Sequence, residues 1–305
     1  MSEKALGRLA RGPHPVLFTL LYEPHFVSDR EQVLPHLLRI DAAHVVMLAR
    51  QGILASDSAA RLLSLKRELA GRLSAGEELF PPPPSHRGLY LLYEGEYIAR
   101  LGGDVGGAAH VARSRNDINA TVTRMRLRTA LADVLQQGLL LAGTLERLGT
   151  EHAQTLMSAF THLQPAQPAS FGHYLDGVLS ELVRTLSWLA GTHEGINRCP
   201  MGAAAGVGTS FPIDTALVAR LLGFDGPLGN SVDAVGSRDY VVQVLSGLAL
   251  LGTLLTRLAA DLQTWASSAY NFLGWPDELV STSSIMPQKR NAFVLENIRG
   301  QAVKA

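Results

Sequence analysis

Apolar residues recur at intervals of three and four over long tracts of the chain, and two-residue alternation is nearly absent, so the pattern predicts helices almost throughout. In DREQVLPHLLRIDAAHVVMLARQGIL, residues 29–54, Val33, Leu37, Ile40, His44, Met47 and Leu48 fall on or near one helical face. SDSAARLLSLKRELAGRL, 56–73, opens on Ser56, suited to capping, and carries Leu62, Leu63, Leu65 and Leu69. The prolines of FPPPP, 80–84, break any helix there, because proline lacks the amide donor and clashes with the preceding turn. Beyond residue 112 the tracts lengthen. Segments 114–149, 167–194 and 237–272 each support one helix, the last read as the longest, about 50 Å at ~1.5 Å per residue.

Helices of that length bury their apolar faces against one another. The pattern therefore implies an all-α protein, with a small N-terminal helical domain over 1–111 and a long-helix bundle over 112–305. YVVQVLSGLALLGTLLT, 240–256, carries no charge and approaches the ~17 residues that a membrane span requires. Arg238 and Asp239 before it, Arg257 and Asp261 after it, and Gln243, Ser246 and two glycines within it favour a helix buried inside the bundle.

Composition narrows the chemistry. Of 305 residues, 47% are hydrophobic and 18% charged, and Lys+Arg and Asp+Glu both number 27. A net charge of zero gives no broad attraction for nucleic acid or an anionic membrane, so neither is an expected partner and any anion must be held locally. The single cysteine, Cys199, forms no intramolecular disulfide, and no Cys/His group has zinc-ligand spacing; we expect a cytoplasmic protein without a bound metal. PVLFTLL, near the amino terminus, is short and lacks a small-residue cleavage site, so no signal peptide is expected.

Four segments between the helices carry candidate chemistry. In HVARSRNDINAT, 110–121, Arg113 and Arg115 have the forked geometry that grips carboxylates, and Ser114, Asn116 and Asp117 can cap the following helix; a solvated basic helix start is the other reading. In THLQPAQP, 161–168, His162 beside Thr161 is a general acid or base candidate, with Gln164 and Gln167 behind it and two prolines shaping a turn. A satisfied structural histidine is the alternative. CPMGAAAGVGTSFPID, 199–214, lacks the G-x-x-x-x-G-K-[ST] order of a phosphate loop, so its small residues serve close backbone approach.

STSSIMPQKRNAFVLENIRG, 281–300, is the richest segment. Hydroxyls ahead of a helix can cap its amides, and those amides with Lys289 and Arg290 make a positive field that suits a carboxylate and favours an ionised serine. Asn291 and Glu296 fall near one end of the helix that follows. Plain caps and solvated cations explain the segment as well. Arg238 and Asp239 head another helix, as a capping ion pair or a substrate contact.

Taken in order, the segments resemble one family. SSIMPQKRN, 283–291, resembles the signature of the fumarase, aspartase and argininosuccinate lyase superfamily, and RSRND (113–117), THLQPAQP, GTSFPID (208–214) and NSVDAVGSRDYV (230–241) are similar to argininosuccinate lyase itself. The resemblance implies elimination of an amine or guanidine such as arginine from an N-substituted aspartate, giving fumarate, without metal or organic cofactor. It implies that Ser283 is the base, that Lys289 and Asn291 stabilise the aci-carboxylate, and that His162 with Glu296 delivers a proton to the leaving nitrogen. Ser114, Arg115, Asn116, Thr161, Gln164, Ser284 and Arg238 would bind the succinyl-bearing substrate, and each site would draw on three subunits of a homotetramer. A sibling lyase acting on another succinyl amine, or a crystallin-like scaffold without catalysis, is also implied. The chain departs from the family pattern at Val111, Ala112 and Ala292; His86 is matched to a substrate-contacting histidine. Relatives continue past the signature, so the final bundle helices and a C-terminal domain are expected to be lacking here.

Overall fold

The computed structural model describes residues 12–80 and 88–304. Most of the expected loop over 80–84, and His86, lie outside the described residues. The single helix expected over 29–54 is two. Helix α1 (Glu23–Gln32) stops at Val33, and α2 (Leu34–Arg50) carries Pro35 in its first turn, where a missing N–H costs no helical hydrogen bond. Helix α3 (Ser56–Ser74) begins one residue earlier than expected, so Ser56 is its first helical residue and Ala55 stands at the cap. Helix α4 (Leu89–Leu101) follows.

Helix α5 (Arg115–Glu151) is 37 residues long and exceeds the helix that the sequence reading took as the longest. A hairpin that the alternation pattern did not announce comes next: β1 (Leu156–Thr161) pairs antiparallel with β2 (Gln164–Ser170). Helix α6 (Phe171–Gly191), α7 (Thr215–Leu221), α8 (Asp239–Trp265) and α9 (Phe293–Ala302) complete the main elements. At 27 residues α8 is about 40 Å long rather than 50. It ends because residues 266–272 turn back: Asn271 takes a left-handed backbone, φ 53°, and the Phe272 N–H reaches the Trp265 carbonyl at 2.9 Å.

The chain forms two compact units, residues 1–128 with 197–237, and 129–196 with 238–305. In the first, α2 lies between two apolar clusters. Leu37, Ile40, Met47 and Leu48 pack with Ile118, Val122 and Met125 of α5 and Leu217 and Val218 of α7. Leu34, Leu38 and Val45 pack with Leu62, Leu65 and Leu69 of α3 and Tyr93 and Tyr97 of α4. In the second, Leu145 of α5, Leu175, Val178, Leu182 and Leu186 of α6 and Leu254 of α8 form the core. A Cβ on Gly172 would fall 2.3 Å from the Gly149 carbonyl oxygen, so only glycine lets α6 start this close to the end of α5.

Helix α8 is not the buried helix the sequence implied. Only 22% of its most apolar stretch is buried, and by length and composition it could cross a membrane. Val242, Leu245 and Leu250 stand open, and an apolar groove of 450 Å³ runs between α8 and α9 past Leu251, Leu255, Phe293 and Ile298. None of the predicted site residues lines that groove.

Candidate active site

At the head of α5 the sequence RSRND builds a reciprocal cap. Ser114 Oγ accepts the Asn116 N–H at 3.3 Å, while Asp117 Oδ1 accepts the Ser114 N–H at 3.0 Å, the box in which first-turn donors and a third-position acid satisfy one another. Asp117 is fully buried, and its second oxygen accepts the N–H groups of Gly202, at 3.2 Å, and Ala204, at 2.8 Å. Burial pushes its carboxyl upward, against those backbone donors. Asn116 Nδ2 donates to the Ala205 carbonyl at 3.2 Å. Arg115 and Asn116 are exposed and Ser114 half-buried.

Arg113 corrects an expectation. The carboxylate it grips belongs to the chain: its buried guanidinium pairs with Asp41, which also takes the Lys66 ammonium at 2.7 Å and the Tyr93 hydroxyl at 2.7 Å. Burial alone raises the Asp41 carboxyl, but Arg113 and Lys66 outweigh it and hold the group well below the usual carboxylate range. Burial lowers Lys66 to about 8 despite Asp41. His44 Nε2 meets the Val111 carbonyl at 2.8 Å, and burial with Arg113 nearby pushes that ring down to about 3. A buried network thus fixes the chain just ahead of Ser114.

Thr161, His162 and Gln164 stand at the hairpin's tip. Thr161 faces Gln164 in the last ladder pair, so His162 and Leu163 are the two-residue turn, at φ 53° and 59°. Both residues of such a turn require left-handed backbone, which Asn-Gly supplies readily and His-Leu only at about 1–2 kcal/mol per residue. The conformation is held from outside the hairpin: the Tyr270 hydroxyl donates to the Leu163 carbonyl at 3.2 Å, and the Tyr270 ring meets Phe160 edge-on, 5.3 Å between centroids. Beneath the hairpin lies a cavity of 390 Å³ whose walls include His162, His173, Tyr174, Asp261 and Trp265. Tyr174 donates to Asp261 at 2.8 Å across it.

Ser283, Ser284, Lys289 and Asn291 share one loop, closed where Ser281 and Asn291 exchange two backbone hydrogen bonds of 2.9 and 2.8 Å. Ser283 and Ser284 do not cap a helix, because α9 begins only at Phe293, with Ala292 at its cap. Ser283 Oγ instead accepts the Ile285 and Met286 N–H groups, at 3.4 and 3.3 Å. Lys289 is exposed. Arg290 is a strut: it pairs with Asp277 and donates to the Trp275 carbonyl at 2.7 Å. Glu296 lies in the first turn of α9 and accepts from Gln263 Nε2 at 3.2 Å, while Arg299 donates to Gln263 Oε1 at 2.9 Å. Arg238 precedes α8 without capping it through its side chain.

The predicted residues other than Arg238 thus fall into three groups: the head of α5, the hairpin tip, and the 281–291 loop with the start of α9. Sequence reasoning missed Asp117 beyond its capping role, Gln263 as the orienter of Glu296, and Tyr270. Only Asp117 carried a signal, as the acid three residues after Ser114. Among the described residues no group of three or more His, Cys, Asp or Glu side chains comes together to hold a metal.

Long helices, a short hairpin between the first two, and polar loops between the rest define a long-helix bundle fold. The structure superposes on the class II fumarase of Schistosoma mansoni with a TM-score of 0.73 at 19% identity, covering 90% of this chain and 65% of that one. On EDDS lyase in complex with formate the TM-score is 0.82 at 31% identity, covering 99% and 59%. Residues 94–305 match the Lyase_1 family, described as Lyase, and the chain belongs to that family. Argininosuccinate lyase 1 of Shouchella clausii (strain KSM-K16) is 38% identical over 297 residues, 97% of this chain and 59% of that protein. The chain therefore spans less than two thirds of the length of these relatives.

Proposed function

We propose that the protein is a carbon–nitrogen lyase of the argininosuccinate lyase type, splitting an N-substituted aspartate into fumarate and an amine or guanidine such as arginine. The observation that carries this reading is the setting of Ser283, whose oxygen faces two backbone N–H donors in a loop bearing Lys289. Donors aimed at a hydroxyl oxygen favour its ionised form, which a serine base requires. Ser283 removes the proton beside the substrate carboxylate. Lys289 and Asn291 stabilise the extra negative charge of the aci-carboxylate, the usual site of the largest electrostatic gain. His162, with Glu296, passes a proton to the leaving nitrogen. Ser114, Arg115, Asn116, Thr161, Gln164, Ser284 and Arg238 hold the succinyl unit through charge-assisted and neutral hydrogen bonds.

The open apolar face of α8 supports assembly into a homotetramer in which several copies complete each site, since such a face otherwise remains in water. The same reading treats residues 1–111 as an N-terminal domain and 112–305 as a bundle, acting in the cytoplasm without metal or organic cofactor. Fumarate release, followed by ultraviolet absorbance, should fall by about 100-fold or more in Ser283→Ala; turnover equal to the unmodified protein removes Ser283 as the base.

A second reading has its own support. The match to EDDS lyase over 99% of this chain favours a sibling enzyme acting on another succinyl amine. Turnover of other succinyl amines with none of argininosuccinate decides for the sibling.

A further inference from the structure

The carboxylate of Asp117 does more than a helix cap needs. A reciprocal cap occupies one oxygen, here Oδ1 on the Ser114 N–H. Oδ2 is given to a segment 85 residues further on, the Gly202 and Ala204 amides. That segment has turn hydrogen bonds of its own, from the Ala203 N–H to the Pro200 carbonyl at 3.1 Å and from the Gly206 and Gly208 N–H groups to the Ala203 carbonyl at 2.9 and 3.0 Å, but its backbone is unusual: Gly202, Ala204, Gly206 and Gly208 all have positive φ, and Ala204, at 51°, is a side-chain-bearing residue in left-handed backbone. Such conformations persist where surrounding groups over-determine them. The shortest of the bonds to the Asp117 carboxylate, 2.8 Å, falls on Ala204 itself.

Asn116 closes the junction from the other side through its Nδ2 bond to the Ala205 carbonyl. Ser114 Oγ is used as an acceptor, by the Asn116 N–H, which leaves its own proton to donate outward. One buried carboxylate therefore ties the backbone at Ser114 to the backbone at Gly202 and Ala204.

We propose that Asp117 is a positioning residue: it locks residues 114–116 and the 202–205 loop into one preformed edge that receives a carboxylate of the substrate. The inference rests on the lyase reading for the identity of the ligand, though not for the lock itself. Acting through Ser114 and Asn116, Asp117 makes no contact with substrate. Preorganised donors bind an anion without an ordering cost at each encounter, and loosening them weakens binding before it touches the chemical step.

The test is Asp117→Asn, which keeps the volume but turns an NH₂ group toward backbone N–H donors. Three measurements are made on it and on the unmodified protein: amide hydrogen exchange over 199–208, the affinity for succinate by calorimetry, and kcat and KM for fumarate release from argininosuccinate. Faster exchange at Gly202 and Ala204, at least about tenfold weaker succinate binding and a raised KM, with kcat within about threefold, are expected. Unchanged succinate affinity and KM in a variant whose loop exchanges faster overturn the proposal, as does unchanged exchange. Should Asp117→Asn fail to fold, Asp117→Ser, which keeps one short acceptor, carries the same three readouts. Absence of fumarate release from the unmodified protein strikes the lyase reading, while exchange and succinate affinity still decide the lock.

Discussion

The segment that leads into Ser114 and the loop that carries Ser283 are built in opposite ways. Ahead of Ser114 the chain is anchored by buried charge: Arg113 and Lys66 converge on Asp41, Tyr93 donates to the same carboxylate, and His44 meets the Val111 carbonyl. Around Ser283 the chain is mostly in water, closed by one pair of backbone bonds and one exposed strut, Arg290 on Asp277. The first arrangement fixes groups whose proposed task is to recognise a carboxylate that does not change. The second leaves the proposed base and its cation on a segment with little packing, the kind of region that opens at low cost. The proposed function thus puts recognition on the stiff part and proton removal on the soft part.

The sharpest way to break that contrast is to remove the anchor's centre. Asp41→Ala leaves Arg113 and Lys66 buried without their carboxylate, and removing one side of a buried ionic group costs about 3–5 kcal/mol. Denaturant unfolding should show a loss of that size. A loss below about 1 kcal/mol would mean that the cluster contributes no more than an exposed pair. At the soft end, His162→Asn should leave the melting temperature unchanged or raise it, since the ring is exposed at a turn and Asn takes left-handed backbone more readily, and lower fumarate release by about 100-fold, or about 2.7 kcal/mol in the barrier. A large fall in stability with turnover preserved would reverse the assignment and make His162 a structural residue.

Acid sharpens the comparison on one side only. His44 is neutral in the fold and titrates at about 3, against 6.5 as its ordinary value. The unfolded chain therefore binds the proton first, and stability falls as pH drops from 6.5 toward 3, by at most about 1.4 kcal/mol per unit. Asp41, depressed in the fold, contributes stability above its ordinary 3.8 and loses it below. Both act in the same direction. His44→Gln, which keeps a hydrogen-bonding group near the Val111 carbonyl, should flatten the slope between pH 6.5 and 4; an unchanged slope assigns the acid sensitivity to other groups.

The two regions also differ in what the sequence disclosed. The long helices were legible because their apolar spacing repeats for many turns, and α5 starts within a residue of where RSRND places it. The hairpin was not: β2 is exposed over most of its length and contains Pro165 and Pro168, so it lacks alternation, and its turn is His-Leu rather than Asn-Gly. The anchor was hidden for another reason. Lys66 reads as the polar face of an amphipathic helix, and nothing local reveals that its ammonium meets an aspartate 25 residues away. For α8 the apolar pattern was read correctly as a helix and incorrectly as a buried one, because burial depends on what packs against it. The 281–291 segment gave its residue types and spacing, and its geometry corrected the role of Ser283 from helix cap to acceptor within a turn.

The smallest expected effect separates two neighbouring cations. Arg290 spends its guanidinium on Asp277 and the Trp275 carbonyl, both exposed contacts, so Arg290→Met should cost at most about 1 kcal/mol of stability. Its effect on fumarate release should be no more than a few-fold, through the placement of the loop. Lys289, one residue away and exposed, is the cation proposed to meet the developing negative charge, and Lys289→Met should cost about 100-fold or more. Equal losses from the two changes would mean that the loop acts through its overall positive field, and that the strut holding Arg290 opens when substrate binds.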